Sequence, residues 1–124
     1  MNPYASPQAY RASSVMTASP GQLVVMLYDG AGRFLRQAEM AAQEGAWSHA
    51  LDRMTKADAI VDELLVTLDV EAGGQLAERL QGIYVFCKRL LIEARIERDP
   101  EKISRAAKLL ADLREAWAEI AAGA

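Results

Sequence analysis

The 124-residue sequence has only one cysteine and one histidine, and this scarcity excludes several kinds of chemistry. The lone Cys87 cannot form an internal disulfide or a CxxC motif, which favours a reducing compartment. Any Ser-His or Cys-His catalytic pair would have to use His49. No cluster has metal-ligand spacing, and neither a phosphate-binding loop nor a dinucleotide fingerprint is present. We therefore expect no catalytic residues, no metal and no cofactor.

Excess positive charge and long apolar runs are also missing. The formal net charge of -3 argues against a partner held through phosphates, so no nucleic acid is expected. No apolar run approaches the roughly 20 residues of a membrane span. The first ten residues have neither the basic start nor the apolar core of a secretory signal. These absences predict a soluble, cytoplasmic protein without membrane insertion.

The chain is instead rich in helix-forming residues. Of its residues, 52% are hydrophobic and 25% are charged, and its length is typical of one domain. Residues 1–18 carry Pro3, Pro7 and small polar residues, which predicts a weakly ordered N-terminal arm before a domain at 19–124. The aromatic residues of this arm either pack on the domain or let Tyr10 occupy a binding groove until a partner arrives.

Four amphipathic helices are predicted at 19–43, 46–68, 75–98 and 100–121. Ser19 is the predicted N-cap of the first helix, with Pro20 at its first position. The connections between the helices are short, apart from the glycine-containing stretch 69–74. The fold class is therefore all-α, an antiparallel up-down four-helix bundle.

Apolar residues at spacings of three and four predict the core face of each helix. In the second helix these positions are Trp47, Ala50, Leu51, Met54, Ala57, Val61, Leu64, Leu65 and Leu68. In the third they are Leu76, Leu80, Ile83, Tyr84, Cys87, Leu90, Leu91 and Ala94. The first helix is apolar over a wide arc of roughly 140°, and Met26 and Met40 lie outside that arc.

A second apolar stripe, Val85, Ile92 and Ile96, lies on the opposite side of the third helix. These three residues are either ordinary exposed hydrophobes or a seat for an amphipathic peptide. The peptide would have acidic flanks, because three cations border the stripe: Lys88, Arg89 and Arg95.

Two polar residues on the second helix allow a functional or a structural interpretation. Asp58, at the edge of the apolar face, is either a functional acid or the partner of a neighbouring helix. His49 suggests a histidine phosphotransfer domain, but Asp52 and Arg53 stand where such domains have Lys and Gly.

Four sequence blocks stand out along the chain: TASPGQLVVMLYDGA at 17–31, EAGGQLA at 71–77, Ile83-Tyr84 and LREAW at 113–117. In order and spacing these blocks closely resemble those of the flagellin-specific export chaperone family, FliS, and the first is similar to the family signature. The resemblance spans about residue 10 to the C-terminus. It implies a bacterial cytosolic chaperone without ATPase activity that binds the C-terminal region of flagellin. Such a chaperone prevents premature polymerisation and assists delivery to the flagellar type III export apparatus.

The resemblance and the helix faces together select seven candidate flagellin-binding residues. Tyr10 matches the family's N-terminal tyrosine, whose segment lies over part of the flagellin-binding cleft. The full set is Tyr10, Val24, Met26, Tyr28, Val85, Ile92 and Ile96. The expected partners are the flagellin C-terminal segment and export apparatus components, with a homodimer as an open possibility. The alternatives are a helical interaction scaffold, a chaperone for another export substrate, and the phosphotransfer domain.

Overall fold

The structure, a computed structural model, describes residues 20–123, which contain four α-helices. They are α1 (Pro20–Gln43), α2 (Trp47–Thr67), α3 (Val70–Glu97) and α4 (Pro100–Gly123). The prediction of an all-α bundle is confirmed for this part of the chain. The predicted arm at 1–18 and the Ser19 cap lie outside the described residues.

Two of the connections reverse the chain through residues in the left-handed region. Gly45, at φ 78°, ends α1, where the Ala46 N–H donates to the Ala41 carbonyl at 2.8 Å. Arg98, at φ 52°, ends α3 in a similar way, and its guanidinium lies 5.8 Å from the centre of the Trp47 ring. This contact places the α1–α2 and α3–α4 connections at the same end of the bundle.

Neighbouring helices run antiparallel, as their cross-helix contacts show. On α1 and α2, Gly30 lies opposite Ile60, whereas Gln37, further along α1, bonds to Arg53, which is earlier in α2. The same reversal relates α1 with α4 and α2 with α3, and α4 returns along α3 with Lys102 bonded to Glu93. The helices therefore form a square in which α1 and α3 are diagonal.

The packing is tight around α1 and loose between α2 and α3. The buried face of α1 is mostly small, which lets its neighbours approach closely: Gly30, Ala31, Ala38, Ala41 and Ala42. Contacts between α2 and α3 are the sparsest of the four neighbouring pairs. A wider separation there leaves more of both helices accessible.

The structure corrects two predicted core positions and part of one connection. Leu51 is 37% exposed and Leu76 is 62% exposed, so neither belongs to the core. Leu51 is on the side of α2 that faces the loosely packed α3, and Leu76 lies two residues after a kink. The kink is at Gly74 (φ 58°, ψ -137°), so residues 70–73 are helical rather than an open connection. Cys87 is buried, as predicted.

Candidate partner-binding surface

Tyr28 lies at the bundle centre and not at its surface. Its ring is 2% exposed and packs 6.3 Å from the Tyr84 ring across the diagonal, and the two hydroxyls are hydrogen-bonded to each other. Burial, reinforced by the bond to Tyr84, raises the pKa of Tyr28 well above its ordinary value, although the neighbouring Trp117 acts in the opposite direction. The prediction that Tyr28 faces a partner therefore does not fit its position.

Met26 and Val24 lie in different surroundings. Met26 is exposed in a groove of about 590 Å³ between α1 and α2, which Leu23 and Ile60 also line. Val24 is partly buried and packs against the core. Of the candidates on α1, only Met26 therefore lies in an open groove.

The predicted stripe on α3 is exposed along its whole length. Val85 is 49% exposed, Ile92 52% and Ile96 78%. Large apolar side chains rarely stand in register on a free surface, and such a patch is typical of a protein interaction site. The stripe is the most exposed part of the predicted candidate set within the described residues.

Polar contacts between α2 and α3 run beside this stripe. Lys88 Nζ lies 3.0 Å from both carboxylate oxygens of Asp58 and also bonds to Asp62. Burial alone would lower the pKa of Lys88, but the bonds to Asp62 and Asp58 outweigh it and raise that pKa. Further along, Arg95 Nη2 donates to the Thr55 hydroxyl at 3.3 Å. Asp58 thus pairs with a neighbouring helix, which is the structural role weighed for it.

Residues on α2 extend the apolar surface beyond the predicted stripe. Val66 is 78% exposed and follows Asp62 by four residues, and Leu51 precedes Thr55 by four, so both stand on the side facing α3. We call this surface, with Leu51, Val66, Val85, Ile92 and Ile96, the α2–α3 face. Sequence reasoning missed its α2 half because the ion-pair partners that define this side of α2 come from α3.

The candidate residues occupy separate surfaces. The groove of Met26 is on the α1 side of α2, whereas the stripe of Val85, Ile92 and Ile96 adjoins α2 from the α3 side. Tyr10 lies outside the described residues. The structure thus does not bring the predicted set together as one site.

Comparison with known proteins decides the family. The sequence-family model described as flagellar protein FliS matches residues 2–124. The chain belongs to the FliS family. The flagellar secretion chaperone FliS of Salmonella typhimurium is 37% identical over 109 residues, which cover 87% of this chain and 81% of the relative. That of Bacillus subtilis is 33% identical over 116 residues, covering 94% and 84%.

The FliS-family chain uses two of its three predicted flanking cations internally. Lys88 is paired with two aspartates, whereas Arg95 donates to the neutral Thr55 hydroxyl and keeps its positive charge. Arg95 Nε is buried without a hydrogen-bond partner among the described residues. The expectation of a partner with acidic flanks therefore loses the contribution of Lys88 and stays a prediction for the other two cations.

Three further features of this FliS-family structure concern metal binding, the lone histidine and membrane insertion. Within residues 20–123, no group of three or more His, Cys, Asp and Glu side chains is placed to hold a metal ion. His49 is exposed, and the neighbouring Asp52 pairs with Arg53 at 2.6 Å. No described helix is long and apolar enough to span a membrane.

Proposed function

We propose that this protein is a flagellar secretion chaperone that holds the C-terminal segment of flagellin against the α2–α3 face. Membership of the FliS family, whose relatives bear that name, supports the chaperone role, and the family is not enzymatic. The choice of surface rests on one observation: Val85, Ile92 and Ile96 are exposed in register beside the most loosely packed helix pair.

An amphipathic segment has the chemistry to cover this face. A helix with apolar residues at spacings of three, four and seven would match Val85, Ile92 and Ile96, which are spaced by seven and four. A covered export segment cannot pair with other flagellin molecules, so occupancy alone would prevent premature polymerisation. Handover to export apparatus components in the bacterial cytosol completes the proposed role.

A matched pair of substitutions tests the surface. Ile92→Asp, and the double change Val85→Asp with Ile92→Asp, should weaken binding of a flagellin C-terminal peptide at least about ten-fold, because an aspartate would be desolvated under the peptide. Met40→Asp is the control, since Met40 is 62% exposed on α1, away from the face. Calorimetry measures the affinity and circular dichroism checks the fold. Unchanged affinity in folded Ile92→Asp would remove the face from the site.

The α1–α2 groove is the second candidate surface, because it holds the predicted Met26. Met26→Asp in the same titration separates the two surfaces. Deleting residues 1–14 tests Tyr10: affinity rises if the arm competes with flagellin and falls if the arm forms part of the site.

A second copy of this chain is the alternative occupant of the α2–α3 face. Light scattering of the free protein measures its mass, and Ile92→Asp would convert such a dimer to a monomer. A mass unaffected by the substitution, together with lost peptide binding, supports flagellin as the occupant.

A further inference from the structure

Three ionised side chains at the centre of the α2–α3 face do not balance in charge. Lys88 is one cation between two carboxylates, Asp58 and Asp62, so the cluster carries one net negative charge. Lys88 and Asp58 are shielded, with 27% and 28% of their side chains exposed. Asp62 is 56% exposed. Lys88 is thus shared between two carboxylates, and its closer partner, Asp62, is the most accessible of the three groups.

No other described cation is paired with either carboxylate. Arg95, the next cation along the same side of α3, donates to Thr55, and Lys56 on α2 lies 3.7 Å from Asp52. Arg89 follows Lys88 directly and so points about 100° away from it around the helix. The Asp62 side chain, 56% exposed, is accessible to water in the free protein.

Docking of an apolar helix changes this balance, because Asp62 stands beside the apolar contacts. Lys88, its partner, lies between Val85 and Ile92 in the sequence and on the same side of α3. A segment that covers both apolar residues therefore also covers Asp62 and removes water from its outer oxygen. Because Lys88 is shared with Asp58, covering the cluster leaves one carboxylate charge in excess, which opposes binding.

We infer that the segment docked on the α2–α3 face carries a lysine or arginine that pairs with Asp62. This inference rests on the proposed function and adds a specificity determinant to it. The basic residue lies at the edge of the segment's apolar stripe nearest α2, within one helical turn of the residues that cover Val85 and Ile92. An otherwise similar amphipathic segment with an acidic residue there is rejected, because two carboxylates would face each other in a site of low water content.

The test is calorimetry of the full chain with a flagellin C-terminal peptide at two salt concentrations. Asp62→Asn keeps the side-chain shape and leaves Lys88 paired with Asp58, so the fold should persist. We expect about a ten-fold loss of affinity and a weaker dependence on salt. Asp112→Asn is the control for charge, because Asp112 is an exposed residue of α4. Unchanged or tighter binding by Asp62→Asn would overturn the inference.

A charge exchange identifies the partner residue. Each lysine and arginine of the peptide is changed in turn to glutamate and titrated against Asp62→Lys. One of these peptides should recover most of the affinity that Asp62→Lys loses, and recovery by none would also overturn the inference. If Ile92→Asp still abolishes binding in that case, the proposed site stands without this contact. If Ile92→Asp binds normally, the proposed site itself fails.

Discussion

The hydrogen-bonded hydroxyls of Tyr28 and Tyr84 allow a quantitative test of how the bundle centre is held together. Both side chains are almost fully buried, and each hydroxyl is the other's partner across the diagonal of the bundle. The bond between the two hydroxyls is the side-chain hydrogen bond that the structure gives each of these tyrosines among the described residues. The perturbation is to replace each tyrosine by phenylalanine, singly and together.

The two single substitutions should have similar costs. Each leaves the other tyrosine hydroxyl buried without its partner, for which a loss of about 2 kcal/mol in the free energy of unfolding is expected. The double variant has no stranded tyrosine hydroxyl, so its loss should fall about 1 kcal/mol or more below the sum of the singles.

Urea unfolding measures the three losses. Circular dichroism follows the helices, and fluorescence follows Trp47 and Trp117; coincident transitions establish two-state behaviour. Strictly additive losses would refute the coupling between the hydroxyls. Because Tyr28 does not reach the surface, folded Tyr28→Phe should also bind the flagellin peptide as the parent does. Weakened binding would restore Tyr28 to the candidate site.

The remaining predictions concern backbone strain and titration. Gly82→Ala should stabilise the protein by about 1 kcal/mol in urea, because Gly82 is inside α3 with open space where a Cβ would stand; a loss would show that the position is not free. Gly74→Ala should destabilise it, since φ 58° with ψ -137° is strained for any side chain, and equal stability would contradict the kink. Burial raises the pKa of Cys87 from its ordinary value near 9 to about 11. The buried neutral thiol therefore contributes fully to the stability of the fold below pH 9, and this contribution is lost as the pH rises toward 11. That loss is about 3 kcal/mol in total, and Cys87→Ala should flatten the fall in stability between pH 8.5 and 10.

Most of the fold was predictable because its signals are local. Pro20 and Pro100 begin helices, and Gly45 ends one, through backbone restrictions that do not depend on the rest of the chain. The burial of Cys87 follows from its place in the three-and-four pattern of its helix. Periodicity identifies the inner face of a helix whenever that face is packed along its whole length.

Periodicity failed where packing varies along a helix. Leu51 and Leu76 satisfy the spacing of core residues as well as their buried neighbours do, yet both are exposed. The reasons are not local: α3 is loosely packed against α2 beside Leu51, and the Gly74 kink precedes Leu76. The distance between two helices depends on the side-chain volumes of both, which one helix's pattern does not contain.

The exposure of the α3 stripe was predictable from the sequence and the pairing of its flanking lysine was not, for one physical reason. An exposed stripe such as Val85, Ile92 and Ile96 can be recognised from the sequence of its own helix, because it lies opposite the buried face of that helix. A lysine such as Lys88, in contrast, has a flexible stem that can reach outward or across to a neighbour. Its direction is decided by two aspartates on α2, and their proximity requires the pairing and register of the helices. Only this tertiary information shows that Lys88 is already shared by Asp58 and Asp62 and is not free to meet an acid of a partner.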